Sequence, residues 1–152
     1  MELFQNFPFI AAICAIFFAQ FIKIPIAFVM TRKWDWSLFN STGGMPSSHS
    51  AAVTALTTGV AIEEGMGSTL FAVSAVLAII VMYDSSGVRR QTGEQAIAIN
   101  QLMKDFQKIV LEPKQNKPFK ELKEVLGHKP IEVFFGALTG IILTITLHIF
   151  FE

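Results

Sequence analysis

Hydrophobic positions in this chain gather into four blocks, Phe7–Met30, Ala51–Ile62, Thr69–Tyr83 and Ile131–Phe151, with polar stretches between them. Within a block the apolar run is nearly continuous and shows no strand-like alternation, so each predicts a helix apolar enough to sit in a membrane. The first and last reach the roughly 20 residues needed to cross about 30 Å of hydrocarbon. The middle two are shorter, and taken alone each could be a buried core helix or a re-entrant segment. Between two clear spans they read as tilted helices whose polar ends line a site. The expectation is an all-α integral membrane bundle of about four transmembrane helices, forming a single domain over residues 1–152.

A different pattern occupies the long segment between the third and fourth blocks. Ile99, Leu102, Met103, Phe106, Ile109 and Val110 recur at helical spacing, with Lys104, Asp105, Gln107 and Lys108 between them. This predicts an amphipathic helix from about Gly93 to Leu111, ending near Pro113, within an insertion of about 91–127. Phe119, Leu122, Val125 and Leu126 suggest a second, shorter stripe closed by Gly127 as a C-cap. The apolar face of the first helix either packs on the bundle or lies in the headgroup layer, its lysines attracted to anionic lipid. The two readings are compatible.

Composition agrees with the block pattern: 52% of the 152 residues are hydrophobic and 15 are phenylalanine. The first block lacks a basic leader and is too long for a cleaved signal peptide. Cys14 is the single cysteine, which excludes disulfides and cysteine metal clusters within one chain. Net charge is zero, yet all twelve Lys and Arg lie between residues 23 and 129. With four spans, segments 31–49 and 84–130 share one face and both termini share the other. The positive-inside rule then places the basic face in the cytoplasm and the termini outside the cell membrane. No nucleic-acid partner is expected. In the last block, Gly136-x-x-x-Gly140 permits close helix approach, through packing within the chain or through self-association. His148, at the far end of that block, reads as structural.

Ionisable groups at a membrane boundary are costly, so each needs an account. Gly43-Gly44-Met45-Pro46-Ser47-Ser48-His49-Ser50 places free backbone, hydroxyls and a histidine at a helix start. There, unpaired N–H groups and the macrodipole attract phosphate-like anions. His128 precedes the fourth block, and Glu132, one turn on, is placed to accept its imidazole N–H. Lys23, Arg32, Arg89 and Arg90 fall at the same boundary. Asp84 is placed to orient an arginine or to close a turn. No ligand spacing supports a metal, and no cofactor is expected.

Pro46-Ser47-Ser48-His49 resembles the PSGH motif of the type-2 phosphatidic acid phosphatase and vanadium haloperoxidase superfamily. Gly127-His128-Lys129-Pro130-Ile131-Glu132 resembles the second half of its SRxxxxxHxxxD motif, with Glu for Asp. Ser86-Gly87-Val88-Arg89-Arg90 is similar to the first half, and Lys23 through Arg32 to its KxxxxxxRP motif. The likeness runs from residue 23 to residue 136 and is to the small, divergent bacterial branch of the superfamily. Three departures stand out. Arg89 and Arg90 lie 39 and 38 residues before His128 in place of a short fixed spacing. Eight residues separate Lys23 from Arg32, with no proline following. Ser48 replaces the motif glycine.

The resemblance implies a metal-independent phosphatase acting on a lipid or polyprenyl phosphate. It makes His128 the nucleophile, Glu132 its orienting carboxylate and His49 the general acid and base. Lys23, Arg32, Ser47, Ser48 and Arg89 or Arg90 would hold phosphate. The alternatives are a non-catalytic module binding anionic lipid, or a small lipid transporter.

Overall fold

The computed structural model describes all residues except 1, 41–42, 111–120, 123, 125–126 and 152. Among the described residues five helices make up the fold: α1 Phe7–Thr31, α2 Ser48–Glu64, α3 Thr69–Ser86, α4 Val88–Val110 and α5 Pro130–Phe151, with short 3₁₀ turns at Glu2–Gln5 and Trp36–Asn40. Among the described residues there is no strand.

Local chemistry sets the boundaries. Asn6, Ser47 and Ser68 cap α1, α2 and α3, their side-chain oxygens accepting the N–H of Phe9, Ser50 and Phe71. Helix α1 ends where Arg32 turns left-handed, its N–H donating to the Phe28 carbonyl. Helix α3 ends at Gly87, and α4 starts in the next residue. The amphipathic helix therefore begins five residues before the expected Gly93, with Arg89 and Arg90 in its first turn. Arg and Gln are good helix formers, so the helix extends beyond the apolar spacing that reveals it.

Helix α2 is the hub, in contact with α1, α3 and α5. It runs parallel to α5 and in step with it: Gly136 lies on Ser47 and Ser50, Gly140 on Ala51 and Thr54, and Thr144 on Ala55. A Cβ on Gly136 or Gly140 would run into the Ser47 or Ala51 carbonyl oxygen, so the backbones touch. Gly136 and Gly140 thus make their close approach inside the chain. At the other end, Gly59 leaves room for Pro8 of the antiparallel α1, where a Cβ would fall 2.7 Å from the Pro8 Cα. His148 sits at that end with its ring 5.5 Å from Phe7.

Small residues fill the interior. Ala11, Ala15, Ala19, Ala51 and Ala55 are fully buried, whereas Phe17, Phe21, Ile79, Ile142 and Ile149 face outward. Hydroxyls bridge helices, Thr54 donating to the Ala137 carbonyl and Thr57 to the Ser74 carbonyl, both at 3.1 Å. In water such an inverted distribution leaves a large apolar patch bare. In lipid, where association rests on close packing and interhelical hydrogen bonds, it is the stable arrangement.

Three stretches are long and apolar enough to cross a membrane: Phe7–Val29, Thr69–Lys108 and Pro130–Phe150. The second joins α3 to the amphipathic α4 across Gly87. The fourth expected span, α2, has 17 residues and a composition rich in Ala, Thr and Ser. Helix α2 is not among these three stretches; flanked by α1, α3 and α5, it leaves little of its own surface exposed.

The second stripe of the insertion does not form a helix in its described part. Glu121, Leu122, Glu124 and Gly127 are non-helical, and Phe119, Val125 and Leu126 lie outside the described residues. Instead the chain is clamped to α4. The Asn100 carboxamide accepts the Leu122 N–H and donates to the Leu122 carbonyl, both at 2.9 Å, and Lys104 pairs with Glu121. Gly127 is not a C-cap either. It lies flat on the first turn of α4, where a Cβ would come within 2.5 Å of the Arg90 nitrogen.

Candidate active site

Parallel packing of α2 and α5 brings two helix starts together, and with them the positive ends of two macrodipoles. The starts are tied directly: the Ser47 N–H donates to the Glu132 carbonyl at 3.0 Å. Their histidines follow, with ring centroids 6.0 Å apart and planes inclined at 65°.

His128 is 2% exposed and held on two sides. Its backbone N–H donates to the Ser85 carbonyl at 3.0 Å, and its Nδ1 lies 3.0 Å from Glu132 Oε2. The same Oε2 accepts the Lys129 N–H at 3.2 Å, the reach-back of a capping box. An ionised carboxylate only accepts, so this geometry assigns the proton to Nδ1 and leaves the lone pair on Nε2. Nε2 is buried and has no hydrogen-bond partner among the described residues. A buried polar atom without a partner is uncommon and marks a strained or working group.

His49, in the first turn of α2, is exposed. It borders a cavity of about 150 Å³ lined also by Ile80, Val81, Asp84, Ser85 and Arg89. Arg89 Nε donates to Asp84 Oδ2 at 2.6 Å. Both side chains are well exposed, so the pair orients the guanidinium more than it stabilises the fold. Lys23 is buried in α1 and interacts electrostatically with Glu132 and His49. Its stem passes Gly44, whose φ of +88° favours glycine.

The remaining expected residues divide. Ser47 and Ser48 are buried at the start of α2. The Ser47 oxygen already accepts the Ser50 N–H and hydroxyl at 3.3 and 3.1 Å, so it shapes the helix start. Arg90 turns away to Glu94 at 3.0 Å, leaving Arg89 as the arginine on the cavity. Arg32 is exposed at the end of α1, and no contact among the described residues joins it to the histidines. Ser85 was not singled out by sequence; it is buried, lines the cavity and anchors the His128 backbone. Its only sequence signal is its place after Asp84 at the end of an apolar block. Among the described residues no group of three His, Cys, Asp or Glu is placed to hold a metal.

The large arginine-to-histidine separation closes in space. Helix α4 leaves the site at Val88, and the chain returns to it through Gly127 on Arg90 and His128 on Ser85. The chain thus leaves and returns to the same place, so residues far apart in sequence become neighbours.

A small-residue helical bundle carrying two histidines, a carboxylate and cations at one end defines a membrane protein with a polar site at its boundary. The chain belongs to the divergent PAP2 family, whose model matches residues 4–143. It is 60% identical to an uncharacterized membrane protein of Bacillus subtilis (strain 168), YuiD, over 99% of both chains. No solved structure matches it.

Proposed function

We propose that this protein is a membrane-embedded phosphatase that hydrolyses the phosphate of a lipid or polyprenyl phosphate through a phosphohistidine. The observation that carries this reading is His128, locked through Nδ1 by Glu132 with Nε2 left unpartnered beside His49. In the first step the Nε2 lone pair attacks phosphorus and the P–O ester bond breaks. The leaving alkoxide takes a proton from protonated His49. In the second step His49 removes a proton from water, the hydroxide oxygen bonds to phosphorus, and the P–N bond breaks to return His128. Glu132 holds the imidazolium throughout. Arg89, Lys23 and the amides at the start of α2 balance charge on the phosphoryl oxygens. Fixed cations supply the electrostatics, so the reaction is written without a metal.

Incubating purified protein with lipid phosphate labelled on phosphorus tests this reading. Acid-labile, base-stable label should appear on the protein and vanish in His128→Ala along with turnover. Hydrolysis that survives His128→Ala sinks the assignment.

A second reading has support of its own. Ser48 replaces the motif glycine, the Ser47 hydroxyl is engaged in the cap, and Arg32 stands apart from the histidines. A site with these features suits a module that binds an anionic headgroup without turning it over. Saturable binding of lipid phosphate with no released phosphate from any substrate would favour it.

The basic face is proposed to be cytoplasmic, with both termini outside. Glu64→Cys, in a Cys14→Ala background, should then label from outside intact cells.

A further inference from the structure

Helix α4 has three faces, and the site uses only its first turn. Gly93, Ala96 and Asn100 are buried on one side, where Asn100 clamps the returning chain. A second side carries Arg90, Glu94, Gln101, Asp105 and Lys108, with Ile97 as an apolar exception. The third presents Val88, Ile99, Leu102 and Phe106, which are 44–68% exposed, with the polar Thr92 and Gln95 between the first two. Of the other helices, α3 alone touches α4 among the described residues. An amphipathic helix normally buries its apolar stripe. Here the stripe is bare, while the small-residue side is the one packed on protein.

Three observations identify what covers it. Helix α4 continues from the membrane-embedded α3 after one residue, so it starts at the boundary of the bilayer. At the same end of the bundle, just beyond α1, Trp34 and Trp36 are exposed, with Trp34 stacked on Phe28 at 4.5 Å. Exposed tryptophans at a helix end suit the headgroup level. Finally, Val88–Val110 carries four Lys and Arg against two Asp and Glu, a surplus that complements anionic lipid.

We infer that α4 is an interfacial helix, its Val88, Ile99, Leu102 and Phe106 face bedded in the headgroup–acyl boundary of the anionic leaflet beside the site. Lying in that plane, the helix sets the depth of Arg89, one residue into its first turn. The inference concerns where α4 lies and holds whether or not the site turns over.

The test uses the full chain in lipid nanodiscs containing phosphatidylglycerol. Single cysteines replace Leu102, Phe106, Glu94 or Gln101 in a Cys14→Ala background and carry a polarity-sensitive fluorophore. At Leu102→Cys and Phe106→Cys, emission should be blue-shifted and mostly lost to lipids brominated near the glycerol end of the chain. Aqueous iodide should quench Glu94→Cys and Gln101→Cys instead.

Iodide quenching at Leu102→Cys would overturn the inference, because α4 would then stand in water. Protection from both quenchers would also overturn it, because residues 111–120 or a second copy would then cover the face. Stronger quenching by bromines at the chain end would overturn it in favour of a spanning helix. Replacing the anionic lipid by a zwitterionic one should raise iodide access at Leu102→Cys, and unchanged access would overturn the part assigned to charge.

Discussion

The starts of α2 and α5 are built alike and finished differently. Each is a helix N-terminus with a histidine beside it, and a main-chain hydrogen bond from Ser47 to Glu132 joins them. At α5 the histidine is sealed in, its orientation fixed by a carboxylate that also caps the helix. At α2 serines do the capping, and the histidine is left facing a cavity. One helix start thus provides a rigid imidazole, two residues before α5, and the other an accessible imidazole, in the first turn of α2. In the proposed reaction, the group forming a bond to phosphorus needs a fixed lone pair, and the group exchanging protons with water needs access. Burial divides the roles.

Breaking α5's side of the comparison should have the largest effect. His128→Ala should lower phosphate-ester hydrolysis by on the order of 10⁴-fold or more, read as released phosphate. Next comes His49→Ala. With an alkyl phosphate its loss should be about 10²–10⁴-fold. With an aryl phosphate, whose leaving group needs little protonation, the first step should recover and labelled protein should accumulate. Equal losses on both substrates would contradict the assignment of His49 as the acid.

Glu132→Gln sharpens the contrast further. It keeps the size of the side chain and removes the charge that holds the imidazolium. Turnover should fall by about 10–100-fold, with the helical circular dichroism signal retained. The smallest effect separates the two arginines. Arg89→Ala should raise KM for lipid phosphate by about tenfold, the worth of one charge-assisted contact. Arg90→Ala should leave it near the parent value, because that guanidinium is turned toward Glu94.

How much of this was legible in the sequence depends on the range of the interaction. The apolar blocks and the cap residues are local signals, and α1, α3 and α5 fall close to where the blocks predict. The His128–Glu132 pair is local too, one turn apart, and the structure shows it made. What sequence did not reveal was set across the chain. The choice of Arg89 over Arg90 depends on which faces the cavity once Gly127 has docked on the α4 turn. The returning segment is non-helical in its described part because Asn100 takes up the backbone groups of Leu122, 22 residues away. No periodicity announces that clamp. Arg32 fell near a motif in sequence, but the left-handed turn that ends α1 leaves it outside the cluster. Ser85 was missed because its contribution is a backbone carbonyl, which any residue possesses.

Where helices meet through long side chains, their separation drifts with every rotamer change and every substitution at the seam. Helices α2 and α5 have no such upholstery between them: carbonyl oxygen rests on glycine at Gly136 and again at Gly140. The gap between the two imidazoles is therefore gauged by main chain, the least variable material in a protein. Connections elsewhere can change in length without loosening the jaws of the site.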